Sequence, residues 1–141
     1  MIYHSKSEGK TSEIAAEIAQ KFSSGGILLL EGDLGSGKTT FTKELAHHLG
    51  FDKFEVKSPT YGYIRHYSQK DKNLYHIDLY RLQGSDELLN QEIEEIAANP
   101  QNIIVVEWPQ LLSEHLKKDA QKIKFSYESP TSRIIEIIQK H

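Results

Sequence analysis

The 141-residue chain contains no cysteine, which excludes disulfides and thiolate metal sites and fits a reducing compartment. Arginine is scarce: Arg65, Arg81 and Arg133 stand against 14 lysines, and the formal net charge is −3. No basic run stands out, which argues against a dominant phosphate-backbone binding face. The opening MIYHSKSEGK has no apolar core of signal-peptide type. The longest aliphatic runs, Ile27–Leu30 and Ile103–Val106, are far too short to span a bilayer. Repeats, low-complexity segments and linkers are also missing. A soluble cytoplasmic protein with no membrane segment is the expectation, built as one domain over residues 1–141 around a single core.

What is present reads as alternating helices and strands. Ile14, Ile18 and Phe22 recur every fourth position with Ala15 and Ala19 beside them, which predicts a helix over about 9–22, stopped by Gly25-Gly26. Ile27–Leu30 predicts a strand buried on both faces. Phe41, Leu45 and Leu49 mark a second helix, closed by Gly50. Residues 54–83 are rich in tyrosine and read as extended, with a polar turn at Gln69–Asn73. Ser85 is the expected cap of a helix reaching about Asn99. Ile103–Val106 predicts a second buried strand, and a short helical segment is expected after Pro109. Lys122–Tyr127 and Arg133–Gln139 predict a C-terminal β-hairpin. The order predicts an α/β fold: a mixed, mainly parallel sheet flanked by helices.

The segment GDLGSGKTTF, Gly32 to Phe41, matches G-x-x-x-x-G-K-[ST] at every fixed position. Glycines let the backbone curl so that successive N–H groups, here across Gly35, Ser36, Gly37 and on to Thr40, point at phosphate oxygens. The following helix aims the positive end of its dipole at the same place. Lys38 would add a full charge on the β- and γ-phosphates, and Thr39 would give its hydroxyl to Mg²⁺. A glycine-rich turn could match by chance. The buried strand before the loop and the amphipathic helix after it weigh against that.

Mg²⁺ in such sites usually also needs a carboxylate at the end of a neighbouring buried strand. Ile103–Val106 ends in Glu107 and Leu74–Ile77 ends in Asp78. Glu107 follows the more apolar strand and is expected at the metal. Asp78 is expected nearer the γ-phosphate, orienting water; the competing roles for it are a helix cap or a partner for Arg81. Ser58-Pro59-Thr60-Tyr61 is a candidate switch-like loop that senses the γ-phosphate. His47-His48 reads as solvent-facing. His76 is either a core or a site histidine, and Trp108 is either core or a lid beside the nucleotide.

In that order and spacing, GDLGSGKTTF, VKSPTYGYI, YHIDLYRL and VVEWPQLL resemble the TsaE family over nearly the whole chain. The resemblance implies an ATPase required for N6-threonylcarbamoyladenosine on tRNA, with ATP and Mg²⁺ as cofactors and TsaB and TsaD as partners, so that tRNA is reached only through the complex. It implies that Lys38 and Thr39 meet phosphate and Mg²⁺, that Glu107 belongs to the Mg²⁺ site, and that Asp78 and Trp108 are tied to activity. It also brings Thr11, Gln110 and Arg133 to the nucleotide. Ser36 stands where many members have alanine. With no evident arginine finger, ATP turnover by the isolated chain is expected to be slow. A small-molecule kinase on the same loop is the alternative. A GTP switch and a non-catalytic nucleotide-binding module rank lower, and neither N-K-x-D nor T-K-x-D occurs.

Overall fold

The computed structural model describes residues 1–33, 35–51 and 63–138. The expected switch-like loop Ser58–Tyr61 lies outside these residues. The described elements are β1 (Ile2–Ser5), α1 (Glu8–Phe22), β2 (Gly26–Glu31), α2 (Lys38–His48), β3 (Ile64–Gln69), β4 (Lys72–Asp78), α3 (Glu87–Ala97), β5 (Ile103–Glu107), a 3₁₀ turn (Pro109–Leu111), α4 (Glu114–Lys118), β6 (Gln121–Ser129) and β7 (Ser132–Ile138).

The strands form one sheet in the order β1-β7-β6-β2-β5-β4-β3. The pairs β2–β5, β2–β6 and β4–β5 are parallel. The hairpins β3–β4 and β6–β7 and the edge pair β1–β7 are antiparallel. The parallel strands therefore occupy the centre, as burial on both faces requires, and the antiparallel pairs close the sides.

Alternation along the strands separates two cores. Leu28 and Leu30 of β2, Ile103 and Val105 of β5 and Ile123 of β6 face α1 and α2, where Ile14, Ile18, Phe41 and Leu45 are buried. Leu29, Ile104 and Val106 face the other way, against Leu89 and Ile93 of α3 and Leu112 and Leu116 around α4. The β2 run is apolar throughout because both of its faces are covered.

Helix starts follow local hydrogen bonding. The Ser7 hydroxyl accepts from the Lys10 N–H at 3.1 Å and opens α1. The predicted cap of α3 moves by one residue. Asp86, in extended conformation, accepts from the Leu89 N–H at 3.0 Å in place of Ser85, because a carboxylate is a stronger acceptor for the exposed helix N–H groups. β1 adds an edge strand that the sequence pattern did not reveal. None of the described helices is long and apolar enough to cross a membrane.

Candidate functional site

The parallel register sets the site. Glu107, the last residue of β5, pairs with Leu30 on one side and with Asp78 on the other. The carboxyl ends of β2, β5 and β4 thus lie at one level, with the glycine-rich loop leaving β2 between them and α2. Crevices at the carboxyl ends of parallel strands are where ligands bind in open α/β sheets.

Two glycines are needed for the loop's path. Gly32 has φ 151°, and a Cβ there would lie 2.5 Å from the Phe125 carbonyl oxygen. Gly35 has φ 76°, and its Cβ would lie 2.6 Å from the Tyr127 hydroxyl. The loop is also tied internally: the Ser36 N–H donates to the Asp33 carbonyl at 3.1 Å. The Ser36 side chain is fully buried, and its hydroxyl has no hydrogen-bond partner among the described residues. Gly37, at φ 104°, is the residue before α2. Thr39 is exposed and Thr40 half-buried in the first turn of that helix.

Lys38 is only 4% exposed. Its ammonium donates to the Gly32 carbonyl at 2.5 Å and stands 3.7 Å from the centroid of the Trp108 ring, a cation–π contact. Burial lowers its pKa from the ordinary value, against the opposing pull of Glu107, Asp78 and Asp33. Trp108 reaches this position through a left-handed backbone, φ 57° and ψ 60°. For a bulky residue that conformation costs about 1–3 kcal/mol and tends to cluster at functional sites. Tyr80 also packs against the indole, with ring centroids 5.0 Å apart. Trp108 is therefore neither a plain core residue nor detached from the site: it is half-buried against Lys38.

The two acids differ. Glu107 is 3% exposed and hydrogen-bonded to Nε2 of His76, itself 6% exposed. Asp78 is exposed, and its carboxylate accepts from the Tyr80 N–H at 3.0 Å. That turn, rather than an ion pair with Arg81, fixes it, since no ion pair joins the two among the described residues. His76 thus sits on a site acid, which its place in an alternating strand left open.

On the other side of the loop, Thr11 and Arg133 line one cavity, of about 320 Å³, with Ser5, Ser7, Gly37, Thr40 and the hairpin tip Pro130-Thr131. The Thr11 and Ser5 hydroxyls are 2.6 Å apart. The Arg133 guanidinium lies over the Tyr127 ring at 4.4 Å and donates to the Ser132 carbonyl at 3.2 Å. Tyr127 in turn donates from its hydroxyl to the Gly35 carbonyl at 2.6 Å. Sequence reasoning passed over this tyrosine, whose alternation in β6 gave no sign that its ring would reach the loop.

Gln110 lies on a second groove at the loop. It is exposed on the 3₁₀ turn and lines this groove, of about 530 Å³, with Trp108, Gly32, Asp33 and Lys124. His47 and His48 are exposed, and His48 Nε2 lies 2.9 Å from the Ser12 hydroxyl. No group of three or more His, Cys, Asp or Glu side chains suited to a metal occurs among the described residues. Any Mg²⁺ here would rest on Thr39, Glu107 and phosphate oxygens, the mode in which Mg²⁺ keeps few protein ligands.

The family model for "Threonylcarbamoyl adenosine biosynthesis protein TsaE" matches residues 5–135. The chain belongs to the TsaE family. The tRNA threonylcarbamoyladenosine biosynthesis protein TsaE of Bacillus subtilis is 40% identical over 114 residues, covering 81% of this chain and 70% of that protein. The protein of the same name from Rickettsia conorii is 32% identical over 135 residues, 96% of this chain and 76% of its own. The crystal structure of YdiB from Bacillus subtilis superposes with a TM-score of 0.74 at 30% identity, covering 97% of this chain and 83% of that one. Family membership thus joins the α/β sheet and the C-terminal hairpin to the order of motifs that first suggested it.

Proposed function

We propose that this chain binds Mg-ATP in the glycine-rich loop and hydrolyses it to drive turnover of a TsaB–TsaD complex that makes N6-threonylcarbamoyladenosine on tRNA. The observation that carries the reading is the convergence of Lys38, Glu107 and Asp78 at the carboxyl ends of β2, β5 and β4. The family's role in threonylcarbamoyladenosine biosynthesis supports the biological part.

Each residue has a physical task in this reading. Backbone N–H groups from Gly35 to Thr40, at the positive end of α2, bind phosphate oxygens. Lys38 exchanges the Gly32 carbonyl for the β- and γ-phosphates; its low solvation leaves little water to displace. Thr39 and Glu107 would hold Mg²⁺, which would supply positive charge to the phosphoryl oxygens. Asp78, exposed beside Glu107, orients the attacking water. Thr11, Thr40 and Arg133 wall the cavity that takes the nucleoside end, with Tyr127 bracing the loop. Gln110 lines the groove beside Trp108 that also takes in Gly32 and Asp33 of the loop.

The three arginines are spread singly, and Arg133 is committed to hairpin carbonyls. Hydrolysis by the isolated chain should therefore be slow, and a group supplied by a partner is worth roughly 10³–10⁵ in rate in other phosphate-loop proteins. The test is steady-state ATP hydrolysis, alone and with TsaB and TsaD from the same source, with Lys38→Ala as control. Partner-dependent hydrolysis lost in Lys38→Ala supports the reading. Phosphate transfer to a metabolite without partners would replace it with the kinase alternative.

A further inference from the structure

We propose that His76 is a positioning residue that fixes the Glu107 carboxylate for metal binding. The proposal rests on the reading of Glu107 as the Mg²⁺ acid. β4 and β5 are parallel neighbours, and His76 pairs with Val105. Glu107, two residues on, is therefore its diagonal neighbour on the same face of the sheet. Both side chains are almost fully buried, at 6% and 3% exposure, with His76 Nε2 on Glu107 Oε2.

A carboxylate only accepts, so this bond requires the proton on Nε2. Among the described residues, His76 is the only side chain hydrogen-bonded to Glu107. Lys38 acts on Glu107 through charge and is itself bonded to the Gly32 carbonyl. Oε2 is thus anchored and Oε1 is the oxygen left to turn towards the loop. His76 also lines a cavity of about 200 Å³ together with Thr39 and Thr42. The imidazole thus bonds the acid and shares a cavity with the helix turn that would supply the other metal ligand. Outer partners of metal ligands typically change metal affinity by about 10–100-fold when removed.

The experiment separates metal binding from nucleotide binding. Mn²⁺ is titrated into the protein–ADP complex and free Mn²⁺ is read by electron paramagnetic resonance; ADP binding is measured separately in EDTA. His76→Ala is expected to weaken Mn²⁺ uptake about ten-fold or more while metal-free ADP binding is unchanged. His76→Gln, whose amide N–H can replace Nε2–H, is expected to recover most of the loss. Glu107→Gln should weaken Mn²⁺ uptake, and adding His76→Ala to it should change nothing further.

Wild-type Mn²⁺ uptake in His76→Ala, with a defect in Glu107→Gln, would overturn the positioning role alone. Unchanged uptake in Glu107→Gln would overturn the metal reading and this proposal with it. Loss of metal-free ADP binding in both His76 variants would also overturn the proposal, because a plain core role predicts that general loss.

Discussion

Replacing Ser36 by alanine, inside the loop that defines the site, should make the protein more stable. The Ser36 hydroxyl is fully buried and has no hydrogen-bond partner among the described residues. It packs so closely on Gly32 that a Cβ there would lie 2.8 Å from it. A buried hydroxyl left unpaired costs roughly 1–3 kcal/mol. Ser36→Ala removes that term and leaves a void of one oxygen atom, roughly 10 Å³, which at about 24 cal/mol per Å³ returns only about 0.2 kcal/mol. The net gain is about 1–3 kcal/mol, or a rise in Tm of roughly 3–9 °C for a chain of this length. The assay is thermal unfolding followed by circular dichroism without nucleotide. ADP affinity should be unchanged, because the backbone N–H groups proposed to bind phosphate are untouched by the substitution. A lower Tm for Ser36→Ala would refute the reasoning, since it would show that the hydroxyl has a partner in solution.

Other consequences follow from the same geometry. Tyr127→Phe deletes the 2.6 Å bond to the Gly35 carbonyl; with the ring half exposed, stability should change by less than about 1 kcal/mol, while ADP affinity measured by calorimetry falls as the loop loses its brace. Burial lowers the pKa of Lys38, so the unfolded chain holds that proton more tightly. The stability linked to this group is therefore present above its ordinary value of 10.5 and is lost as pH falls through the lowered folded value. The wild type should gain stability relative to Lys38→Met as pH rises towards 10.5, as read by urea unfolding of both proteins; a constant gap would contradict the lowered pKa.

The parts of the fold that were legible in the sequence are those with local causes. Ile14, Ile18 and Phe22 mark α1 by spacing, and the apolar runs at 27–30 and 103–106 mark the two central parallel strands. The loop motif and the strand-end acids Glu107 and Asp78 were visible for the same reason. β1 was not, because Ile2–Ser5 is four residues long and its one buried side chain is the polar Ser5. Its existence depends on β7, more than a hundred residues away. The His76–Glu107 contact depends on the register of two parallel strands separated by α3, which no local pattern encodes. The bond from Tyr127 to the loop depends in the same way on where β6 lies beside β2. Trp108 was recognisable as important, but its contact with Lys38 follows from a left-handed backbone that residue type does not foretell.

Trp108 is the only tryptophan in the chain, and its ring lies 3.7 Å from the Lys38 ammonium. Intrinsic fluorescence during titration with Mg-ATP therefore tests the central claim directly. The account predicts a saturable change in the wild type, as Lys38 turns from the indole and the Gly32 carbonyl to phosphate, and no such change in Lys38→Ala. An unresponsive wild type, or the same response in Lys38→Ala, would contradict the placement of ATP at this loop.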